Sequence, residues 1–310
     1  MIRKSGLFSA SVALCFSLSV SLLPSQSFAT NTNITVLPNE TDGLKIMLAM
    51  EDRDDGTSNV SKSKLTTCRY GMKAKKLVCV ENPRIKLMEG VRKDYGETEQ
   101  DKKSVSILLD PPGERGIGFL QYDYDDKAKE SDQWMYFSAL GKVKRIVSGS
   151  DDEPKTGSFF GSEFAYEDME KRHIEDYNYK ILKQNVKYQG RDCWVIESTP
   201  NPERSRKSNY SRSVIWVDKE RLLGLKTMLY DRQGKRAKRL TTRKVKLIDN
   251  IWVGTVLNIN NLQTKRMSTL VTQELAFNIN VDDNFLTQRT LTDNSYRENR
   301  LQDYREHLQN

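Results

Sequence analysis

The residues that could support acid–base or metal chemistry are few. The chain has two histidines, His173 in a charged run and His307 near the C-terminus. Neither has the spacing to cysteine that zinc sites use. The acidic run at 123–132 could bind calcium or serve hydrolysis, but it carries lysines where further oxygen ligands would be needed. Phosphate-binding loops, dinucleotide fingerprints and nucleophile elbows are missing from the sequence. We therefore predict that the protein is not an enzyme and uses no metal or cofactor; an unfamiliar hydrolase is the least favoured alternative.

The cysteines predict one disulfide. The segments "LTTCRY" and "KLVCVEN" flank "GMKAKK", a pattern typical of a β-hairpin. A hairpin symmetric about Lys73 and Ala74 would place Cys68 directly opposite Cys79, close enough for a bond. Cys193 is then left unpaired, and we predict a buried, unreactive thiol.

The chain begins with a pattern typical of a secretory signal peptide. Arg3 and Lys4 precede an apolar stretch, and "SFA" supplies the small residues of a cleavage site before Thr30. Cys15 lies inside the apolar stretch rather than at its end, so we expect an exported protein that is not itself a lipoprotein. Loss of residues 1–29 lowers the formal charge from +8 to +6. We expect no nucleic-acid partner, because no recognised binding motif is present.

Alternating polar and apolar residues dominate from Val60 onward, with short turns between the alternating runs. This pattern predicts one antiparallel sheet that is long enough to curl and has few helices. A short amphipathic helix is expected near residues 44–51, and a loop with a short helix over residues 157–177. We divide the chain into a signal peptide (1–29), a flexible lead-in (30–43), a β domain (44–291) and a polar C-terminal tail (292–310). The tail is either a surface helix or disordered.

The stretch "DQWMYFSALGKVKRIVSGSDD" is apolar on both sides of a strand and then becomes basic. On a strand, Trp134 and Tyr136 point one way, whereas Met135 and Phe137 point the other way. Such residues either fill a core or line a pocket, and composition does not separate these alternatives. The candidates for an apolar cavity are Phe119, Tyr122, Trp134, Tyr136, Phe159, Phe160, Phe164 and Trp216. The candidates for a basic rim or docking surface are Lys142, Lys144 and Arg145.

A long block of the chain closely resembles a known family. It includes "GIGFLQYDYDD", "DQWMYFSALGKVKRI", "GSFFGSEFAYEDME" and "GRDCWVIESTP". These segments resemble the periplasmic outer membrane lipoprotein-sorting proteins of Gram-negative bacteria, the LolA/LolB-like family, over roughly residues 45–291. The resemblance implies an incomplete antiparallel β-barrel, with helices across its concave face and an apolar cavity for acyl chains. It also implies a location in the periplasm.

Two functional hypotheses follow from this resemblance. The first is a monomeric carrier or chaperone that binds acyl chains of lipids or lipoproteins and moves them toward an outer-membrane acceptor. It predicts that Trp134→Asp or Tyr136→Asp abolishes binding of a hydrophobic probe without unfolding the protein. The second is an adaptor subunit of an inner-membrane exporter of the resistance-nodulation-division type. The adaptor would have a filled cavity and would co-purify with a membrane protein.

Overall fold

The structure is a computed structural model that describes residues 36–96, 100–150 and 153–308. The signal peptide predicted over residues 1–29 lies outside these residues, as does the start of the predicted lead-in. Within the described residues, no helix combines the length and hydropathy needed to cross a membrane. All of them belong to one compact unit, Asn33–Asn310.

The alternating sequence forms strands along most of the described chain. There are fourteen of them in the described residues. They are β1 (Ser58–Lys73), β2 (Lys76–Cys79), β3 (Arg84–Tyr95), β4 (Asp101–Asp110), β5 (Gly118–Asp123), β6 (Asp132–Phe137), β7 (Lys142–Ile146), β8 (Tyr177–Tyr188), β9 (Arg191–Pro200), β10 (Tyr210–Asp218), β11 (Gly224–Asp231), β12 (Arg236–Ile248), β13 (Ile251–Asn261) and β14 (Arg266–Phe277). The α-helices among these residues are α1 (Gly43–Glu51), α2 (Pro202–Lys207), α3 (Gln288–Thr292) and α4 (Asn294–Arg305).

The strands form a single antiparallel sheet. Its order is β7-β6-β5-β4-β3-β1-β14-β13-β12-β11-β10-β9-β8, with β2 attached to β1. Most neighbours are also consecutive in sequence, as expected when short turns join them. Two pairings are exceptions: β1 pairs with β3 beyond the short β2 hairpin, and β1 pairs with β14, which joins the two halves of the chain. In the described residues, β7 and β8 are the two edge strands and do not pair with each other. The predicted mainly β, antiparallel fold is confirmed.

Contacts of the segment between β7 and β8 show that the sheet curls. Gln133 on β6 donates to the carbonyl oxygen of Tyr166 at 3.1 Å. Two residues later, Asp168 accepts a hydrogen bond from the Tyr210 hydroxyl on β10 at 2.8 Å. Nine strand-to-strand steps separate β6 from β10, about 43 Å in a flat sheet. Two residues of chain span only about 7 Å. The sheet is therefore an incomplete barrel, and residues 157–176 lie on its concave side, which we call the inner face.

Helix α1 also covers the inner face, next to β9 and β10. Asp42 caps its start by accepting from the backbone N–H of Leu44 at 2.9 Å. Ile46 and Met47 pack into a cluster with Trp194 and other side chains of β9 and β10. The helix predicted near residues 44–51 is therefore present, and its buried side anchors it to the sheet.

The opposite, outer face is covered by the C-terminal segment, residues 279–308. Leu291, Leu301 and Tyr304 are buried there against side chains of β3, β4 and β5. Burial of each such side chain contributes about 1.5–3 kcal/mol. The part of the chain expected to be a surface helix or disordered is thus a helix, α4, with a buried stripe. The reason is its spacing: Arg297, Leu301 and Tyr304 lie on one side of a helix, although most of the segment is polar.

The predicted disulfide is confirmed, but its hairpin turns one residue later than expected. Cys68 and Cys79 are bonded, with 5.7 Å between their Cα atoms. The turn residues are Ala74 and Lys75, both with positive φ, as in a type I′ turn. Cys79 is therefore opposite Tyr70, and the bond runs diagonally to Cys68 on the same side of the hairpin.

Removal of this disulfide is expected to lower the free energy of unfolding by about 3 kcal/mol, because the bond restricts an unfolded loop of about a dozen residues. The change is Cys79→Ser, which alters the exposed partner and leaves the buried Cys68 in place. Urea denaturation measures the loss. Reduction with dithiothreitol should produce a similar loss in the unmodified protein and none in the variant. Equal stability of all samples would contradict this prediction.

Cys193 is a free, fully buried thiol on β9. Burial, with a smaller effect from the nearby Asp218 carboxylate, raises its pKa to about 11. Since the thiolate is the reactive form, we expect no reaction of Cys193 with Ellman's reagent at pH 8 until the protein unfolds. Absorbance titration in buffer and in 6 M guanidinium measures this. Rapid labelling of the folded protein would contradict it.

Candidate functional site

The eight aromatic residues predicted to line one cavity lie in three places. Alternation along the strands separates them, because neighbouring residues of β5 and β6 point to opposite faces of the sheet. The inner face holds Phe119, Phe159, Phe160 and Phe164. Beneath the C-terminal segment on the outer face are Tyr122, Trp134 and Tyr136. Trp216 lies in a separate cluster with side chains of β9, β11, β12 and β13.

The aromatic group on the inner face fills that part of the barrel with the protein's own side chains. Phe159, Phe160 and Phe164 each keep no more than 5% of their surface exposed. The ring of Phe159 contacts Phe119 edge to face, with 5.2 Å between centroids. The ring of Tyr166 stacks on that of Phe119, with 5.9 Å between centroids. These side chains are therefore buried and packed against one another on the inner face.

Acidic side chains hold the inner segment against the sheet. Glu163 accepts from Arg266 at 3.0 Å, and Asp168 pairs with Lys238 at 2.9 Å. The Tyr210 hydroxyl also donates to Asp168, and burial raises the pKa of this tyrosine. The carboxylate of Asp168, in the charged run at 167–176, therefore lies inside the barrel and is bound there by Lys238 and Tyr210.

An open cleft lies on the other side of the sheet, between the ends of β4 and β6 and the C-terminal helices. Its volume is about 810 Å³, within the range of sites for drug-sized ligands. We call it the outer cleft. Its apolar lining includes Ile107, Leu109, Tyr136 and Leu291. The complete lining is Ile107, Leu108, Leu109, Pro112, Arg115, Gly116, Tyr136, Ser138, Leu291, Thr292, Asn294, Arg297, Glu298 and Arg305.

Three arginines border the outer cleft, together with one glutamate, Glu298, which pairs with two of them. Arg297 is buried and donates to the carbonyl oxygens of Thr290 at 3.1 Å and Leu291 at 3.3 Å. Arg305 makes two hydrogen bonds to the buried carboxylate of Glu89, at 2.7 and 2.6 Å. Arg115 is exposed, and in the described part of the chain its guanidinium has no hydrogen-bond or ion-pair partner. The cleft therefore combines an apolar floor with guanidinium groups at its border.

The basic residues predicted as a rim lie beside this cleft but do not line it. Lys142, Lys144 and Arg145 are on β7, the edge strand that follows the cleft-lining Ser138. Arg145 pairs with Asp132 on β6, whereas Lys142 and Lys144 are exposed. Of the residues predicted from sequence, only Tyr136 lines the cleft, and Trp134 and Tyr122 pack nearby, with ring centroids 5.0 Å apart.

The outer cleft has the features of a ligand-binding site. Among the described residues, no group of three histidine, cysteine, aspartate or glutamate side chains is placed to bind a metal. His173 lies beside charged residues, including Glu51, Lys171 and Glu175, at the surface of the inner segment. These side chains lie on the other face of the sheet from the outer cleft. An apolar cavity bordered by arginines is suited to a ligand with a hydrocarbon part and an acidic group.

Comparisons with known proteins agree with this architecture. A family model described as an uncharacterized protein matches residues 100–293. The chain is similar to the crystal structure of a putative outer membrane lipoprotein-sorting protein domain from Vibrio parahaemolyticus. The two are 30% identical, with a TM-score of 0.68, covering 81% of this chain and 98% of that one. None of the curated proteins compared with the chain matches it.

Two further structures share the fold at lower identity. One is a DUF1329 family protein from Desulfovibrio piger, with 23% identity, a TM-score of 0.70, and coverage of 80% of this chain and 97% of that one. The other is a LolA superfamily protein from Nitrosomonas europaea, with 17% identity, a TM-score of 0.57, and coverage of 80% and 98%. The chain belongs to the outer membrane lipoprotein-sorting protein family and has its LolA-like fold.

Proposed function

We propose that this protein is a non-catalytic periplasmic carrier that binds acyl chains of lipids or lipoproteins in the outer cleft. The observation that supports the proposal is the cleft itself, about 810 Å³ in volume, with an apolar floor and arginines at its border. Leu109 and Tyr136 would contact the hydrocarbon chain. Arg115 is free to pair with an acidic head group. The lipoprotein-sorting family supplies the expectation of export and of transfer toward the outer membrane.

The energetics of lipid transfer explain why such a protein needs no chemistry. Each CH₂ group exposed to water costs about 0.8 kcal/mol, so a sixteen-carbon chain costs on the order of 10 kcal/mol. A lipid therefore rarely leaves a membrane unaided. A protein cleft that covers part of the chain lowers this cost, and the direction of transfer is then set by the acceptor's affinity or by a membrane partner.

The proposal is tested by extracting lipids from the protein after purification without detergent from the periplasmic fraction. Mass spectrometry should find close to one lipid or acylated peptide per protein molecule. Titration with N-phenyl-1-naphthylamine, a dye that fluoresces in apolar surroundings, should show saturable binding. A protein that carries no lipid and does not bind the dye would overturn the carrier proposal.

A second candidate function is favoured by the filled inner face. An adaptor subunit of an inner-membrane exporter needs no cavity, and the space where this fold could hold an acyl chain is occupied by Phe159, Phe160 and Phe164. Co-purification of an exporter with a lipid-free protein would support the adaptor. Stoichiometric lipid in the outer cleft would support the carrier.

A further inference from the structure

The turn between β6 and β7 carries exposed apolar and basic side chains together. Leu140 is 68% exposed and Phe137 is 38% exposed. Lys142 is paired directly opposite Phe137 on the neighbouring strand, and Lys144 follows on the same side. We call Phe137, Leu140, Lys142 and Lys144 the β6–β7 tip. Exposed apolar residues grouped in this way commonly mark an interaction surface.

The turn is open around Gly141. Gly141 adopts a φ of 60°, and a Cβ atom added to it would meet no atom within 4 Å. The described chain holds no hydrogen-bond or ion-pair partner for the side chains of Lys142 and Lys144. The one acidic side chain that pairs with β7, Asp132, is already bound to Arg145 on the other side of the hairpin. The charge at the tip is therefore positive and available.

The tip is continuous with the outer cleft. Ser138, inside the turn, and Tyr136, on β6, both line the cleft. The neighbouring turn lies against the base of the tip, because a Cβ atom on Gly116 would be 3.6 Å from the Cβ of Ser138. That turn adds the exposed Arg115 to the same region. The tip and the cleft therefore share the end of the β6–β7 hairpin, although Phe137, Lys142 and Lys144 point to its inner-face side and Tyr136 to its outer-face side.

From these observations we propose that the β6–β7 tip docks on an anionic phospholipid membrane. Phe137 and Leu140 enter the interface between head groups and acyl chains, and Lys142, Lys144 and Arg115 contact the acidic head groups. Apolar side chains flanked by lysine and arginine are the combination that binds such surfaces. This proposal goes beyond the carrier function and does not require a lipid in the cleft. If the carrier function holds, docking brings the cleft to the membrane that supplies or receives the lipid.

The test is flotation with vesicles of phosphatidylcholine containing 30% phosphatidylglycerol, and with vesicles of phosphatidylcholine alone. All proteins begin at Thr30, where cleavage of the predicted signal peptide would leave them, so that the apolar leader cannot attach them to the vesicles. The tip variant is Leu140→Ser, Lys142→Gln and Lys144→Gln. The matched control, Leu182→Ser, Lys180→Gln and Lys183→Gln, makes the same changes at exposed positions of β8, the opposite edge strand.

The tip variant should lower the partition coefficient on anionic vesicles about 25-fold or more, since each lysine near an anionic surface contributes about fivefold. The control should stay within about twofold of the unmodified protein, and 0.5 M salt should weaken binding. Matching thermal melts show that all variants are folded. Equal losses in both variants, or no binding of the unmodified protein to anionic vesicles, would overturn the proposal. Binding only to vesicles that contain inner-membrane proteins would also overturn it, in favour of a protein partner. Lipid extraction tests the carrier function separately, so either proposal can fail alone.

Discussion

Replacement of Arg305 by leucine is expected to lower the free energy of unfolding by about 3 kcal/mol. Arg305 makes two hydrogen bonds to Glu89, whose side chain is only 2% exposed. Hydrogen bonding to Glu89 also raises the pKa of Arg305, so this guanidinium stays charged at neutral pH. Leucine would leave the carboxylate buried without a partner, which typically costs about 3–5 kcal/mol. Because Arg305 is itself 30% exposed, we expect the lower end of that range. Urea denaturation followed by circular dichroism measures the change.

Two controls separate this effect from a general loss of charge on α4. Arg300 lies on the same helix and pairs with Asp282 at 3.3 Å, but their side chains are 46% and 29% exposed, so neither charge of this pair is buried as Glu89 is. Arg300→Leu should therefore change the stability by no more than about 1 kcal/mol. The double variant Glu89→Leu with Arg305→Leu removes the buried charge together with its partner, and should recover most of the loss. Equal effects of the two single variants would contradict the assignment.

The same pair connects stability to the candidate site. Helix α4 supplies one wall of the outer cleft through Arg297, Glu298 and Arg305. If α4 is released from the sheet, the cleft loses that wall before the rest of the barrel unfolds. Arg305→Leu should therefore weaken binding of the naphthylamine dye at temperatures where the far-ultraviolet circular dichroism is still native.

The sequence predicts the sheet well because strand alternation and turn chemistry are local. Paired strands on both sides of a short turn, such as "DRQGK", need only nearby residues to be recognised. The hairpin that carries the disulfide between Cys68 and Cys79 is predicted from the same local signals. Its turn residues, Ala74 and Lys75, lie one position later than the symmetric hairpin expected from the sequence. The curl is not local. It requires the pairing of β1 with β14, whose partners are about 200 residues apart in the chain.

The site was harder to predict because it is assembled from distant segments. The outer cleft is formed by residues 107–116 and 136–138 and by the helices after residue 290. Alternation places Trp134 and Tyr136 on one side of a strand, and Phe119 and Tyr122 on opposite sides of another. It cannot show which side of each strand faces the concave interior of a curled sheet. Most residues of α4 are polar, so its composition does not predict a buried side. The buried residues Arg297, Leu301 and Tyr304 are nevertheless spaced in the sequence as on one side of a helix. A search for helical periodicity in the tail would have found it.

Leu109→Asp is expected to weaken binding of the naphthylamine dye by more than about 100-fold, if the outer cleft is the acyl site. Leu109 lines the cleft at a bulge in the pairing of β3 with β4, and it remains partly exposed. Replacing leucine by aspartate removes an apolar contact worth about 1.5–3 kcal/mol. The ligand would also have to displace the water around the new carboxylate, which costs further binding free energy. Trp134→Asp and Tyr136→Asp are less suitable, since Trp134 packs on Tyr122 and a charge there would disturb the core. The binding constant comes from fluorescence titration.

The matched control for Leu109→Asp is Leu257→Asp, at a position on β13 that is 38% exposed and does not line the cleft. Both variants introduce the same charge at a partly exposed leucine on a strand, so both should melt within a few degrees of the unmodified protein. Only Leu109→Asp should lose the dye and the co-purified lipid. Loss of binding in both variants would indicate that the effect is general. Retention of the dye by a folded Leu109→Asp protein would place the acyl site elsewhere, with the inner face as the next candidate, reached only if Phe159, Phe160 and Phe164 move aside.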